Sequence, residues 1–226
     1  MTEQTSLYES AYKGDFDTVK TSVDNDEKLI HKRDDNGRLL IHWAALSGNI
    51  KLVTYLIELG SPVDPVDDTD TTPLILASSA GRYEVVELLI KYGAEVNHKN
   101  NQGHSALQYS CSKGWLEISV KLLECNADIN IADIRGATPL HRAASKGNFN
   151  IVKLLLNYKE KLKIDFRDNY GNTALHLACE EDRQDVAKVL VENGADLELR
   201  NKNRETPLDL CSHSLVKILT NLISAK

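Results

Sequence analysis

The apolar and polar positions of this chain recur with a period of about 33 residues, and each period contains two segments of helical spacing. In residues 133–163, a polar stretch precedes a phrase in which Leu140, Ala143 and Ala144 share one face of a helix. After Gly147, a second segment places four apolar residues at helical spacing: Ile151, Val152, Leu154 and Leu155. Each period therefore predicts a pair of short helices separated by a turn.

The first helix of each pair opens with a recognisable phrase, which reads TPLHRAA at 138–144 and TALHLAC at 173–179. Related phrases begin at Leu39, Thr72, Ser105 and Thr206, with a degenerate one at Thr5, and the steps between starts are 34, 33, 33, 33, 35 and 33 residues. We therefore expect a single domain over 1–226, built from seven copies at 1–36, 37–69, 70–102, 103–135, 136–170, 171–203 and 204–226.

Turn and cap residues mark the helix ends, because glycine adopts the left-handed conformation at no steric cost. The first helices are followed by Gly14, Gly48, Gly81, Gly114 and Gly147, and in the sixth copy by Asp182. The second helices are followed by Gly60, Gly93 and Gly194, and in the fourth copy by Asn126. In the fifth copy we expect Gly136 in a turn, the Thr138 hydroxyl as a helix cap, and Pro139 at the first helical position.

Composition and charge narrow the classes of function. The net charge of -6 argues against nucleic acid as the main ligand, and no apolar run reaches the roughly 20 residues of a membrane helix. The cysteines form no CxxC pair and occupy predicted helical positions: Cys111, Cys125, Cys179 and Cys211. We expect them to be reduced thiols, which indicates a protein of the cytoplasm and nucleus.

The sequence gives little support for a catalytic or metal-binding site. His42, His141 and His176 each occupy the fourth position of the phrase in their own copy. We therefore expect them to lie along the stack of repeats and not to converge on one point. We expect each ring to hydrogen-bond to turn backbone. Zinc spacing is absent, and no acid, base and nucleophile converge in sequence, so we expect no cofactor, no metal and no enzymatic activity.

The positions that differ between the copies remain as candidates for binding a protein. Their charges alternate in sign along the chain, and they include the Trp, Tyr and Arg side chains that often anchor polar interfaces. The predicted protein-binding residues are Asp35, Arg38, Trp43, Asp68, Asp70, His104, Tyr109, Lys113, Arg135, Arg142, Lys146 and Tyr170.

The period and the phrase resemble ankyrin repeats, which implies an all-α solenoid of seven stacked helix-turn-helix repeats with β-hairpin loops. Within that class the chain is similar to the gankyrin family, the ankyrin-repeat subunits of the proteasome. The resemblance rests on the runs RLLIHWA at 38–44, ASSAGR at 77–82, HRAASKGN at 141–148 and GNTALHLACEE at 171–181. The copies depart from the consensus at Leu39, at Asp70, at Leu74-Ile75 and at Gln108.

That resemblance implies a chaperone for assembly of the 19S regulatory particle of the proteasome. It implies a monomer that binds the C-terminal domain of a base ATPase, regulatory subunit 6B, on the concave face of the repeats. Arg38 and Lys113 match basic residues that the family uses for partner binding.

An alternative function is regulation of the cell cycle. Leu177, Cys179 and Glu181 fit the Leu-x-Cys-x-Glu pattern that engages the retinoblastoma protein, at the same place in the sixth repeat as in the family. The family is also linked to cyclin-dependent kinase 4. Against this, Leu177 and Cys179 are ordinary inner-helix positions, so the structural interpretation of the motif stays open beside the functional one.

Overall fold

The computed structural model describes residues 6–224, so the degenerate phrase that begins at Thr5 starts outside the described residues. Backbone contacts group the chain into two compact units, residues 1–106 and 107–226. The single continuous domain expected from the repeat stays a prediction. Within the described residues all regular structure is helical, as the repeat pattern predicts.

The first unit contains α1 (Leu7–Lys13), α2 (Phe16–Asn25), a 3-10 helix (Glu27–His31), α3 (Leu40–Ser47), α4 (Ile50–Glu58), α5 (Pro73–Ser79) and α6 (Tyr83–Lys91). The inner helices α1, α3 and α5 pack side by side, and the outer helix of each pair packs on its own inner helix. Small buried side chains such as Ala44 and Ala45 at 0% exposure let the inner helices approach closely.

The second unit contains α7 (Ala106–Lys113), α8 (Leu116–Glu124), α9 (Pro139–Lys146), α10 (Phe149–Leu156), α11 (Ala174–Glu180), α12 (Gln184–Glu192), a 3-10 helix (Leu208–Leu210) and α13 (His213–Ser224), with the first residue of α7 assigned to the first unit. The seventh copy thus reduces its inner helix to one 3-10 turn. Its outer helix α13 buries Leu215 and Leu219.

The core of the fifth repeat follows the predicted helical faces with one exception. Leu140, Ala143 and Ala144 are buried in α9, as predicted. In α10 the buried set includes Leu156 in place of the predicted Leu154, which is only half-buried. The same spacing of buried positions occurs in the outer helices α8 and α12, so it is the shared buried face of the outer helices in this unit.

Non-glycine residues adopt the left-handed conformation where the repeat plan requires it. Asp182 and Asn126, expected to replace glycine, have φ angles of 50° and 63°. Asp70 and Arg204 occupy the turn position of Gly37 and Gly136 in their repeats and have φ angles of 57° and 67°. The repeat geometry therefore imposes the backbone conformation even where the sequence lacks glycine.

The hairpin loops contain no strand within the described residues and are tight turns. In the fifth repeat the loop closes through a hydrogen bond from the Asp133 N–H to the Ala137 carbonyl at 3.1 Å. Successive loops are joined by single backbone bonds, such as that from the Asn169 N–H to the Arg135 carbonyl at 2.9 Å. The loops therefore keep a hairpin reversal without a β-ladder.

The cap residues of the outer helices also tie neighbouring repeats together. In the first unit, Asn49 Nδ2 donates to the Gly14 carbonyl at 2.7 Å, and Arg82 Nε donates to the Leu46 carbonyl at 3.1 Å. These carbonyls lie at the ends of inner helices, where no intrahelical donor reaches them. Alternating Asn and Arg side chains thus satisfy the inner-helix ends.

Gly136 is a point where two repeats approach each other closely. Its φ is 75°, and a Cβ there would lie 2.8 Å from Asn169 Oδ1 and 2.9 Å from the Asn169 nitrogen. We expect Gly136→Ala to lower the free energy of unfolding by about 1–2 kcal/mol more than Gly194→Ala. Gly194 has a φ of 93° with nothing within 4 Å of the added Cβ, so it controls for backbone strain alone. Equal losses in urea unfolding would contradict the close approach.

Candidate partner-binding surface

An Asp or Asn side chain organises each of the six loop tips. In the fifth repeat, Asp133 Oδ1 accepts the N–H groups of Arg135 at 2.8 Å and Ala137 at 3.0 Å. The same pair of bonds recurs at the equivalent residues: Asp34, Asp67, Asn100, Asp168 and Asn201. These turns hold each loop rigid and present the next one or two side chains to solvent.

The acidic candidates of the first unit lie on these loop tips. Asp35, Asp68 and Asp70 are exposed. Asp35 directly follows Asp34 and Asp68 directly follows Asp67, whereas Asp70 is the left-handed turn residue of the loop that Asp67 organises. None of the three carboxylates forms an ion pair within residues 6–224. Their charges are therefore open to solvent, and their role in binding a partner stays a prediction.

Arg38 and Trp43 form one internal cluster. Arg38 Nε donates to Asp67 Oδ2 at 2.9 Å, and its guanidinium lies 4.9 Å from the centre of the Trp43 ring. Trp43 Nε1 in turn donates to Asp34 Oδ2 at 2.9 Å. Burial works to raise the pKa of Asp67, but hydrogen bonds from Thr69, Thr71 and Arg38 hold it below its usual range. Arg38 therefore supports the loops besides facing solvent.

In the second unit, Arg142 likewise forms an internal ion pair while part of its side chain faces solvent. Its guanidinium pairs with Asp133, whose side chain is 0% exposed, while Arg142 itself is half-buried at 31%. Burial works to raise the pKa of Asp133, but the hydrogen bonds from Arg142 and Ala137 outweigh it and hold that pKa low. The charge of Arg142 is thus largely balanced within the protein.

The other basic and aromatic candidates of the second unit are more open. Lys113 and Lys146 are exposed at the ends of α7 and α9, and Arg135 is exposed on a loop tip. Tyr170 is 61% exposed on the next loop. Of the remaining candidates, His104 lies half-buried in the last loop of the first unit and Tyr109 lies half-buried in α7.

Ile134 is an exposed apolar residue on the candidate surface that was not among the residues predicted from the sequence. It stands beside Arg135 on its loop tip and is 58% exposed, although it is aliphatic. Its carbonyl accepts Asn169 Nδ2 at 3.0 Å, so its position is fixed against the loop that carries Tyr170. The sequence signal for this residue was an apolar side chain at a repeat position that differs between copies and is expected to face solvent.

The three repeat histidines bond to backbone as predicted, and in two of them the bonds link repeats. His141 Nδ1 accepts the Thr138 N–H at 3.2 Å, and its Nε2 donates to the Asn172 carbonyl at 3.0 Å. His176 Nε2 likewise donates to the Glu205 carbonyl at 3.2 Å. Gln108 replaces the ring in the fourth repeat, and its Nε2 donates to the Ala137 carbonyl at 2.7 Å.

The free energy of unfolding should depend on pH through His42. Burial lowers its pKa from 6.5 to about 4, against the opposing effect of Asp67 and with that of Arg38. Between about pH 6.5 and 4, His42 is therefore protonated in the unfolded chain but mostly neutral in the folded chain. The free energy of unfolding should thus fall as the pH drops from about 6.5 toward 4. We expect the loss from His42 between pH 7 and pH 5 to be on the order of 2 kcal/mol.

Urea unfolding at several pH values measures this loss. The His42→Gln variant should reduce the slope of the profile between pH 5 and 7, because glutamine does not titrate and Gln108 already fills the equivalent position. The rest of the slope should remain, since burial also lowers the pKa values of His141 and His176. His31→Gln, at an exposed position, should keep the slope of the parent chain. If His42→Gln has the same slope as the parent, His42 does not cause the pH dependence.

The possible retinoblastoma motif is folded into α11. Leu177 is half-buried, Cys179 is buried at 1% exposure, and Glu181 is exposed just after the helix. The Cys179 thiol hydrogen-bonds with the thiol of Cys211, which together with burial raises the pKa of Cys179. A partner that reads this motif in extended form would have to open α11 first.

All four cysteines are unpaired. Cys111 and Cys179 lie within helices as expected, but Cys125 is the cap residue after α8 and Cys211 follows the last 3-10 helix. Among residues 6–224, no three His, Cys, Asp or Glu side chains are placed to hold a metal ion. No helix of the described part is long and apolar enough to cross a membrane.

Comparison with known proteins agrees with this architecture. The family description "Ankyrin repeats (3 copies)" matches residues 7–100, 95–166 and 160–225, which together cover nearly the whole chain.

The chain belongs to the ankyrin-repeat family.

Solved ankyrin-repeat structures superpose over nearly its full length. The ankyrin repeat domain of human ASB11 has a TM-score of 0.86 at 26% identity and covers 96% of this chain and 97% of that domain. The ankyrin repeat domain of Bcl-3 has a TM-score of 0.80 at 23% identity and covers 98% and 100%. The predicted all-helical ankyrin solenoid is therefore confirmed.

Similarity in sequence to individual proteins is partial. The 26S proteasome non-ATPase regulatory subunit 10 of Rattus norvegicus is 42% identical over 63 residues, which is 28% of this chain and 27% of that protein. Human protein phosphatase 1 regulatory subunit 27 is 40% identical over 63 residues, 28% of this chain and 40% of that protein. The matches thus span well under half of these relatives. They support protein–protein interaction as the activity of this ankyrin-repeat chain.

Proposed function

We propose that this ankyrin-repeat protein is a non-enzymatic assembly chaperone of the proteasomal regulatory particle. In this role it holds the C-terminal domain of a base ATPase, regulatory subunit 6B, until other subunits compete for the same surface. The partial similarity to 26S proteasome non-ATPase regulatory subunit 10 supports the choice of partner. We place this activity in the cytoplasm and nucleus and expect the protein to act as a monomer.

The observation that carries the proposal is the set of exposed cationic and aromatic side chains on the second unit. Lys113, Arg135 and Lys146 are exposed, and Tyr170 and Ile134 stand on adjacent loop tips. The core does not require any of these side chains. Cations around an aromatic anchor suit an acidic patch on a folded partner, with association that salt weakens.

The internal ion pairs decide which substitutions test this surface. Arg38→Glu or Arg142→Glu would set a second carboxylate against buried Asp67 or Asp133, so lost binding could reflect lost structure. Lys113, Arg135 and Lys146 avoid that ambiguity, because they are exposed and none forms an ion pair with the described chain.

The test measures binding of the purified ATPase C-terminal domain to the full chain by titration calorimetry at low salt. Reversing Lys113, Arg135 and Lys146 to Glu should weaken binding at least about tenfold. A matched control reverses Lys153, Lys188 and Lys217, which are exposed on outer helices of the same unit, and should change affinity by less than about threefold. No binding by the parent chain, or equal losses in both variants, would contradict the proposal.

A further inference from the structure

A cavity of about 620 Å³ lies in the first unit, between the first inner helix and the loop that precedes α3. Its walls include the aromatic rings of Tyr8, Tyr12 and Trp43, and its rim carries Asp34 and Asp35. The size falls in the range of ligand-binding pockets. Tyr12 is 51% exposed and Asp35 is exposed, so the cavity opens to solvent.

The aromatic walls are held in place by their own contacts. The Tyr12 and Trp43 rings meet edge to face, with their centres 5.8 Å apart and their planes at 79°. Trp43 is further fixed by its hydrogen bond to Asp34. The Tyr8 hydroxyl donates to the Lys32 carbonyl at 3.1 Å. The site therefore needs little reorganisation to receive a ligand.

The carboxylates at the rim form no ion pair with a cationic side chain of the described residues. Asp34 accepts hydrogen bonds from Trp43 Nε1 and from the N–H groups of Asn36 and Arg38, and all three donors are uncharged. Asp35 forms no hydrogen bond or ion pair with the described residues. Burial and the nearby charges of Asp34 and Asp35 raise the pKa of Tyr8.

Two cationic side chains line the cavity as well, but neither of them forms an ion pair with Asp34 or Asp35. Arg33 lines the cavity, but its Nη1 donates to the carbonyls of Gly37 and of Val66, the latter at 2.6 Å. Glu9, also in the lining, pairs with Lys13 at 2.6 Å. Lys32 is the remaining cationic side chain of the lining.

We propose that this cavity binds the side chain of an arginine or lysine in an extended segment of a partner protein. Trp43 already has the Arg38 guanidinium 4.9 Å from its ring centre, but the Tyr8 and Tyr12 rings contact no cation of the described residues. These two rings attract a cation through their quadrupoles, and the two carboxylates add direct attraction. A guanidinium also matches a carboxylate in planar, paired hydrogen bonds. The volume leaves room for the backbone beside the anchoring side chain. The inference deepens the proposed function and rests on it for the expectation that the ligand is a protein.

The two tryptophans of the chain provide the measurement. Trp43 lines the cavity, whereas Trp115 belongs to the second unit. The full chain, labelled with nitrogen-15, is titrated with the capped peptide Gly-Gly-Arg-Gly-Gly while both indole signals are followed by NMR. A Trp115→Phe variant assigns the signals. The Trp43 indole should shift, with a dissociation constant of about 1 mM, and the Trp115 indole should not.

Three comparisons test the chemistry of the site. A peptide with neutral citrulline in place of arginine should bind at least about tenfold more weakly. Asp35→Asn should weaken the arginine peptide about three- to tenfold, whereas Asp68→Asn should leave it unchanged. Asp68 is at the same position of the next repeat and is also exposed, but it lies outside the cavity. Tyr12→Ala, at a half-exposed ring, should also weaken binding by at least about threefold.

Each other outcome counts against the inference. Equal affinity for the arginine and citrulline peptides, an unmoved Trp43 indole, or equal effects of Asp35→Asn and Asp68→Asn would overturn the cation site. If methylguanidinium bound as tightly as the peptide, the ligand would be a small cation and the protein segment would be ruled out.

The peptide titration is independent of the ATPase experiment, which reverses charges only in the second unit. Peptide binding without ATPase binding would refute the proposed function alone. ATPase binding without peptide binding would refute the cation pocket alone.

Discussion

Replacing Asp133 by alanine should lower the free energy of unfolding by about 3–5 kcal/mol. The Asp133 side chain is fully buried, accepts two backbone N–H groups of its loop and pairs with Arg142. Alanine would leave the buried Ala137 N–H without its acceptor and would remove the carboxylate that pairs with Arg142. Urea unfolding followed by circular dichroism measures the loss.

Two further variants separate the parts of this effect. Asp133→Asn should lose less than Asp133→Ala, because Asn100 and Asn201 make the same loop bonds in other repeats. Asp35→Ala removes an exposed loop carboxylate and should change stability by no more than about 0.5 kcal/mol. A loss for Asp133→Ala as small as that for Asp35→Ala would show that the buried carboxylate does not stabilise the loop.

Replacing Leu140 by alanine should cost about 2–5 kcal/mol, because the side chain is 1% exposed in the core of the second unit. The cavity would lie where α9 packs on α11, so the interface between neighbouring repeats weakens as well. In a repeat protein the cooperativity of unfolding depends on such interfaces. The urea transition should therefore become broader or split in addition to moving to lower concentration.

Ile134→Ala is the matched control for this prediction. Ile134 lies close to Leu140 in sequence but is 58% exposed, so its removal should change the unfolding free energy by no more than about 0.5 kcal/mol. An unchanged midpoint and slope for Leu140→Ala would contradict the view that the inner-helix leucines hold the repeats together.

Much of the fold was predictable because the repeat signals are local. Glycines after most helices, a Thr-Pro at the start of α5 and α9, and apolar residues at helical spacing specify the pairs of helices. Asp182 and Asn126 were recognised as glycine substitutes for the same reason. The prediction of Leu154 was wrong because helical spacing fits either Leu154 or Leu156, and only packing in the folded chain decides which side chain is buried.

The candidate surface was predictable in its residues but not in their environments. The loop positions of Asp35, Asp68, Arg135 and Tyr170 follow from the period, and all four are exposed. The pairing of Arg38 with Asp67 joins residues that are 29 positions apart and lie on successive loops. No local pattern carries such a pair, since it depends on rotamers that neighbouring repeats select.

The sequence by itself determined the repeat plan, the helical class and the positions that face solvent. These depend on the spacing of small, apolar and turn residues within about 33 positions, which each repeat satisfies alone or with its neighbours. Only the tertiary structure decided which charges are neutralised inside the protein and which remain for a partner. It also brought Tyr8, Tyr12 and Trp43 around one cavity, because contacts between repeats set side-chain directions that the order of residues does not specify.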